Sequence, residues 1–141
     1  MLATSEQKEN MKQRAIKLKR KGICVRCAKE PTIGNGVLCK SCNEKHVSFR
    51  RNQRKRVIEY YGGKCVCCGE TNIKFLTLDH TNGDGFMDRK LMRGQHIEAW
   101  VERNEYPEGF QILCYNCNCG RQYNTDNPGI CTHKEGLLCS L

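Results

Sequence analysis

The spacing of apolar and polar positions divides the chain near Val57. Before that point, residues 8–21, "KENMKQRAIKLKRK", and 45–56, "KHVSFRRNQRKR", hold few apolar side chains and neither proline nor glycine, a pattern that predicts two polar helices. Between them lies "CVRCAKEPTIGNGVLCKSC", a segment punctuated by Pro31, Gly34 and Gly36 that predicts turns. From Val57 onward, "VIEYYGGKCVCCGETNIKFLTLDH" brings aromatic and apolar residues. In it "FLTLDH" alternates as a short strand does, and so does "FQILC" at 110–114. Residues 87–104, "MDRKLMRGQHIEAWVERN", predict a helix broken at Gly94, with Ile97, Trp100, Val101 and Asn104 on one face. "CNCGRQY", ending at Tyr123, predicts a short helix, and the tail "NTDNPGICTHKEGLLCSL" has little periodicity. The expected organisation is therefore residues 1–56, 57–123 and 124–141, in a small α+β protein.

Composition limits what can hold this together. The chain has 141 residues and 38% hydrophobic content, too little for a large core, but it has twelve cysteines. These could be disulfides, metal ligands or both. The opening residues, "MLATSEQKENMKQRAIKLKRKG", lack an apolar segment and a cleavage site, and no apolar run is long enough to cross a membrane. The expectation is a cytoplasmic protein without a membrane partner. In a reducing compartment paired cysteines bind zinc more readily than each other.

Cys24, Cys27, Cys39 and Cys42 form two CxxC pairs eleven residues apart, a spacing that predicts a structural zinc site in a knuckle or ribbon. Cys65 and Cys68 form a third pair and Cys114 and Cys117 a fourth. The predicted hairpin would bring these two together as a second zinc site. Cys119, Cys131, His133 and Cys139 are candidates for a third, with no firm spacing to support it.

Charge adds a partner. The net charge is +9, and the two basic stretches hold thirteen of the 24 lysines and arginines. A zinc knuckle between basic helices suits a phosphate backbone, with Arg50, Arg51, Arg54, Lys55 and Arg56 as contact residues. The competing expectation is that these are solvated faces. Stacking aromatics are scarce in both stretches, which disfavours single-stranded RNA.

Asp79 and His80 close the first predicted strand ahead of the turn "TNGDG", and Asn118 follows the last zinc-pair cysteine. A carboxylate, an imidazole and an amide oxygen converging where a hairpin meets a helix suit phosphodiester hydrolysis. Asp79 and Asn118 offer oxygen to Mg2+ or Mn2+, and neutral His80 can take a proton from water. His46 and His96 have no such company, and Trp100 shares its face with core residues.

Through "CVCCG", "LDHTNGDG" and "LCYNCN", residues 57–123 resemble the HNH, or ββα-metal, endonucleases, and more closely the phage recombination endonuclease VII-like members. The resemblance implies a ββα-metal nuclease domain stapled by a four-cysteine zinc, with Asp79 and Asn118 holding the catalytic cation and His80 as general base. It implies DNA cleavage leaving 5′-phosphate and 3′-hydroxyl ends, and a host cytoplasm if the chain is phage-encoded. Arg121, one turn after Asn118, is a candidate contact to the scissile strand. Two family positions differ: a second histidine is replaced by Asn82, and a middle asparagine by Gly109. Some relatives are dimers, and the sequence leaves homodimerisation open. The alternative expectation is a non-catalytic, zinc-dependent regulatory protein that binds nucleic acid.

Overall fold

The computed structural model describes residues 4–83, 92, 95–124 and 131, and among these it is a small α+β protein of four helices and one two-stranded sheet. No helix among the described residues is long and apolar enough to cross a membrane. The chain forms two compact units, Met1–Arg50 and Arg51–Leu141.

In the first unit, α1 (Ser5–Arg20) buries no residue, so its ends matter more than its faces. Thr4 accepts from the Gln7 amide at 3.3 Å, and the Gln7 side chain accepts from the Thr4 amide at 2.9 Å, which together form a capping box. At the other end Gly22, with φ +65°, donates to the Lys19 carbonyl, and Ile23 donates to that of Leu18. This is a Schellman stop, which needs the left-handed conformation that glycine adopts without strain. The chain then turns through the first cysteine pair and enters α2 (Lys40–Tyr60) directly after Cys39. The basic run at 45–56 is thus part of a longer helix, and the compositional change at Val57 falls inside it.

In the second unit the C-terminal part of α2 buries Gln53, Val57 and Ile58. β1 (Leu76–His80) pairs antiparallel with β2 (Phe110–Cys114), in register from Leu76 opposite Cys114 to His80 opposite Phe110. The core consists of Ile58, Leu76, Ile112 and Leu113 together with Cys65, Cys114, Cys117 and Cys131. Half of these buried side chains are thiols, so the apolar core and the cysteine clusters occupy the same space.

Met92, in the earlier part of the helical pattern over 87–104, is helical, and α3 (Ile97–Arg103) covers the later part. His96 is in extended conformation at its N-cap and exposed, and Asn104 is its C-cap, donating from its side chain to the Trp100 carbonyl at 2.7 Å. Asn104 therefore ends the helix instead of sharing its apolar face, and Val101 is the buried residue. Gly94 lies outside the described residues. α4 (Tyr115–Tyr123) begins two residues earlier than the sequence suggests, because Cys114 caps it: its Sγ accepts from the Cys117 amide at 3.4 Å.

α2 and α3 are joined through Glu102. Its carboxylate accepts from Gln53 Nε2 at 2.7 Å and from Arg56 at 2.6 Å. The Gln53 amide first, and Arg56 after it, hold the Glu102 carboxyl below its ordinary range. Gln53 is only 5% exposed, so Glu102→Ala leaves a buried amide unmatched and should cost about 1–3 kcal/mol. Because the carboxyl is depressed, its contribution is complete above the ordinary carboxylate range and fades as pH falls through the folded value. Thermal unfolding of wild type and variant across acidic pH should show the two curves converging on acidification.

Candidate functional site

The two four-cysteine clusters are built alike. In the first, Cys24 donates to the Glu30 carbonyl at 2.8 Å, Val25 to that of Val37 at 3.0 Å, and Ala28 to that of Cys24 at 2.9 Å. In the second, Cys65 donates to Glu70 at 2.8 Å, Val66 to Ile112 at 2.9 Å, and Gly69 to Cys65 at 2.9 Å. Each first pair thus lies in a knuckle whose second residue is tied to the carbonyl two places before the other pair. Each second pair opens a helix, with Cys39 just before α2 and Cys114 just before α4. An asparagine follows in both, Asn43 in "CKSCN" and Asn118 in "CYNCN". The sequence shows the recurring CxxC pairs, but the shared scaffold becomes visible only through the backbone hydrogen bonds.

In both clusters the sulfur atoms all lie within 4.8 Å of one another, with Cys27 and Cys39 at 3.8 Å and Cys68 and Cys114 at 3.7 Å. A tetrahedral zinc with Zn–S near 2.3 Å places its sulfurs about 3.8 Å apart, so donor type and spacing both fit such an ion. The electrostatics agree. Burial opposes ionisation of Cys24, but the backbone amides of Cys27, Cys39 and Arg26 outweigh it and hold the thiol at about 6. Beside it, the Cys39 side chain and then burial push Cys42 up to about 12. In the second cluster burial is again outweighed at Cys65, by the amides of Cys68, Cys114 and Cys67, and the thiol falls to about 7. Burial, followed by the Cys114 and Cys65 thiols, drives Cys117 far up. Within each cluster some thiols are thus pushed toward the thiolate, Cys24 and Cys27 in the first and Cys65 in the second, while others, Cys42 and Cys117, are pushed away from it. A divalent ion is the kind of group that lets all four ionise together.

A third group of thiols differs from the sequence expectation. Cys131 gathers with Cys67 and Cys117, their sulfurs within 4.8 Å, and it is 3% exposed. Cys119 is exposed and belongs to no such group among the described residues. His133 and Cys139 lie outside those residues. Cys131 belongs to the core beside Cys67, a contact that local spacing could not show.

Asp79 and His80 occupy the last two positions of β1, and strand alternation gives them different surroundings. Asp79 lies opposite Gln111, whose Nε2 donates to its Oδ2 at 3.2 Å. Arg121 on α4 donates to the same oxygen at 2.7 Å and to the Thr81 carbonyl at 3.1 Å. His80 is 9% exposed, and its ring lies 4.6 Å from that of Phe110, which also adjoins Tyr61 and Trp100. Asn118 is partly buried on α4, three residues before Arg121, and its Oδ1 accepts from Gln122 at 3.2 Å. The hairpin and the cysteine-capped helix therefore meet through the Arg121–Asp79 pair. Asp79 and Asn118 offer the hard oxygens that Mg2+ or Mn2+ takes, but with one negative charge between them. A cation bound to the Asp79 carboxylate would have to share it with Arg121 or displace it.

The basic residues of α2 are partly engaged within the chain. Arg54 donates to the Leu76 carbonyl, Arg56 pairs with Glu102, and Lys55 lies 3.6 Å from Glu59. Arg51 is exposed and Arg50 partly so. Arg121 has a side chain only 9% exposed. Arg54 and Arg56 thus hold α2 against β1 and α3 as well as carrying charge.

The turn after His80 is held without a side-chain amide at position 109. The Gly109 carbonyl accepts from the Thr81 amide at 3.0 Å and from its hydroxyl at 3.2 Å. Gly109 has φ +93°, and a Cβ there would meet nothing within 4 Å. Gly109→Ala should therefore cost about 1–2 kcal/mol through backbone strain alone. Thermal unfolding at matched metal content should record the loss. No family model, no curated protein and no solved structure matches this chain.

Proposed function

We propose that the protein is a metal-dependent DNA endonuclease of the HNH type that hydrolyses phosphodiester bonds. The observation that carries this reading is the meeting of the Asp79–His80 strand end with the helix that starts at Cys114 and carries Asn118 and Arg121. The motifs "LDHTNGDG" and "LCYNCN" lend it support, as does the net charge of +9. Structural zinc in the Cys65, Cys68, Cys114 and Cys117 cluster fixes the start of α4 and so the position of Asn118, and zinc in the first cluster fixes the start of α2. His80, as neutral imidazole, accepts a proton from the attacking water, and the ring packed on Phe110 restricts its orientation. Asp79 and Asn118 would hold Mg2+ or Mn2+, which when bound supplies charge stabilisation to the phosphate. Asp79 and His80 face different surroundings, so a phosphodiester attended by both lies across the end of β1. Arg50 and Arg51 on α2 supply phosphate contacts, and Arg121 orients Asp79.

One observation favours a second reading. The Arg121–Asp79 pair with its Gln111 support is a complete structural arrangement by itself. On that reading the chain is a non-catalytic zinc protein that binds nucleic acid.

Supercoiled plasmid with Mg2+ or Mn2+ separates the two, since the first reading expects nicking and the second only a gel shift. His80→Ala, at matched zinc content, should keep DNA affinity while cleavage falls by roughly two to four orders of magnitude. Asp79→Asn, chosen because it keeps a partner for Arg121, should regain part of its activity at high Mn2+, whereas His80→Ala should not. Equal cleavage by wild type and His80→Ala would remove the imidazole from the reaction.

The basic segments should govern affinity. Arg50→Ala with Arg51→Ala should weaken binding equally on unrelated sequences and reduce the salt slope by about one unit per lost phosphate contact. An unchanged slope in a binding titration would make these side chains a solvated face.

A further inference from the structure

Six of the second unit's cysteines converge on a single centre, two more than one tetrahedral ion can use. Cys65, Cys68, Cys114 and Cys117 form one group, and Cys67, Cys117 and Cys131 form another, with Cys117 common to both. Cys117 is fully buried, Cys131 is 3% exposed, and both belong to the core cluster that Cys67 packs against. We propose that these six cysteines hold two thiophilic cations, zinc by their donor chemistry, with the Cys117 thiolate bridging them.

A thiolate sulfur has lone pairs enough for two metals, and the sulfur of Cys117 lies within 4.8 Å of every other sulfur in each group. The second ion takes Cys67, Cys117 and Cys131, and a fourth donor from water or from elsewhere in the chain completes it. Charge favours the pair. One zinc with four thiolates carries a net charge of about −2, and so do two zincs with six, because Cys67 and Cys131 each release one proton to solvent as the second ion enters. The buried core therefore gains a second cross-link without further net charge. That cross-link reaches from the knuckle at Cys67 to residue 131, beyond the helix that carries Asn118. The alternative, two small neutral thiols packed beside a one-zinc site, predicts a different metal count.

The test is native mass spectrometry with elemental analysis of the full zinc-loaded chain. Wild type should carry three zincs, one in the first unit and two in the second. Cys67→Ser and Cys131→Ser should each carry two, and Cys119→Ser should keep three. Two zincs in wild type, unchanged in the Cys67 and Cys131 variants, would reduce those residues to packing. Three zincs retained in both variants would place the third ion elsewhere. Should a variant fail to fold, NMR of wild type loaded with NMR-active cadmium decides: the bridge requires scalar coupling between two metal resonances, and uncoupled resonances overturn it. Neither readout involves DNA cleavage, so the cluster and the nuclease reading stand or fall separately.

Discussion

Everything in the second unit depends on the convergence of Cys65 and Cys68 with Cys114 and Cys117. This gathering of sulfurs closes the hairpin at the Leu76–Cys114 end, caps α4, and supplies three of the eight buried core residues. A domain of this size with few large apolar residues gains little from area burial alone. Metal–thiolate bonding can provide what the core lacks, and the site and the core cannot be perturbed separately. The backbone amides that lower Cys24 and Cys65 are set against the Cys39 thiol that raises Cys42 and the burial that raises Cys117, a conflict that a divalent cation relieves.

From that anchor the geometry of the Asp-His end follows. β2 runs into Cys114, and its antiparallel register places Phe110 opposite His80 and Gln111 opposite Asp79. The helix that Cys114 caps then delivers Arg121 to the Asp79 carboxylate. Cysteine cluster, hairpin and helix thus form one continuous set of constraints on two adjacent side chains. The Thr81 contacts to the Gly109 carbonyl close the set on the remaining side, and they use backbone where a side chain would serve elsewhere.

The parts legible in the sequence were those with a local signature. The strands "FLTLDH" and "FQILC" alternate, the basic runs lack helix breakers, and the CxxC pairs announce themselves by spacing. The pairing of Cys65 and Cys68 with Cys114 and Cys117 was also reachable, because the two strands imply a hairpin. Other features were hidden because they depend on tertiary contact. The extended backbone at His96 and the Asn104 cap set the ends of α3, which periodicity alone does not mark. The arginines of α2 look alike in sequence, yet Arg54 and Arg56 are drawn inward by Leu76 and Glu102. Cys131 carries no pattern at all, and its place beside Cys67 is visible only as a tertiary contact.

The shared scaffold of the two clusters has a consequence for how such chains can change. In the first, residues 28–38 separate the two pairs, and in the second, residues 69–113 do, yet the bonds from Val25 and Ala28 recur at the equivalent Val66 and Gly69. Loop-closure entropy grows only with the logarithm of length, so extending eleven residues to forty-five costs on the order of 1 kcal/mol. The metal-binding frame therefore acts as a socket whose intervening segment can be exchanged almost freely. A strand pair bearing new chemistry can be inserted there and arrive already positioned beside a helix start.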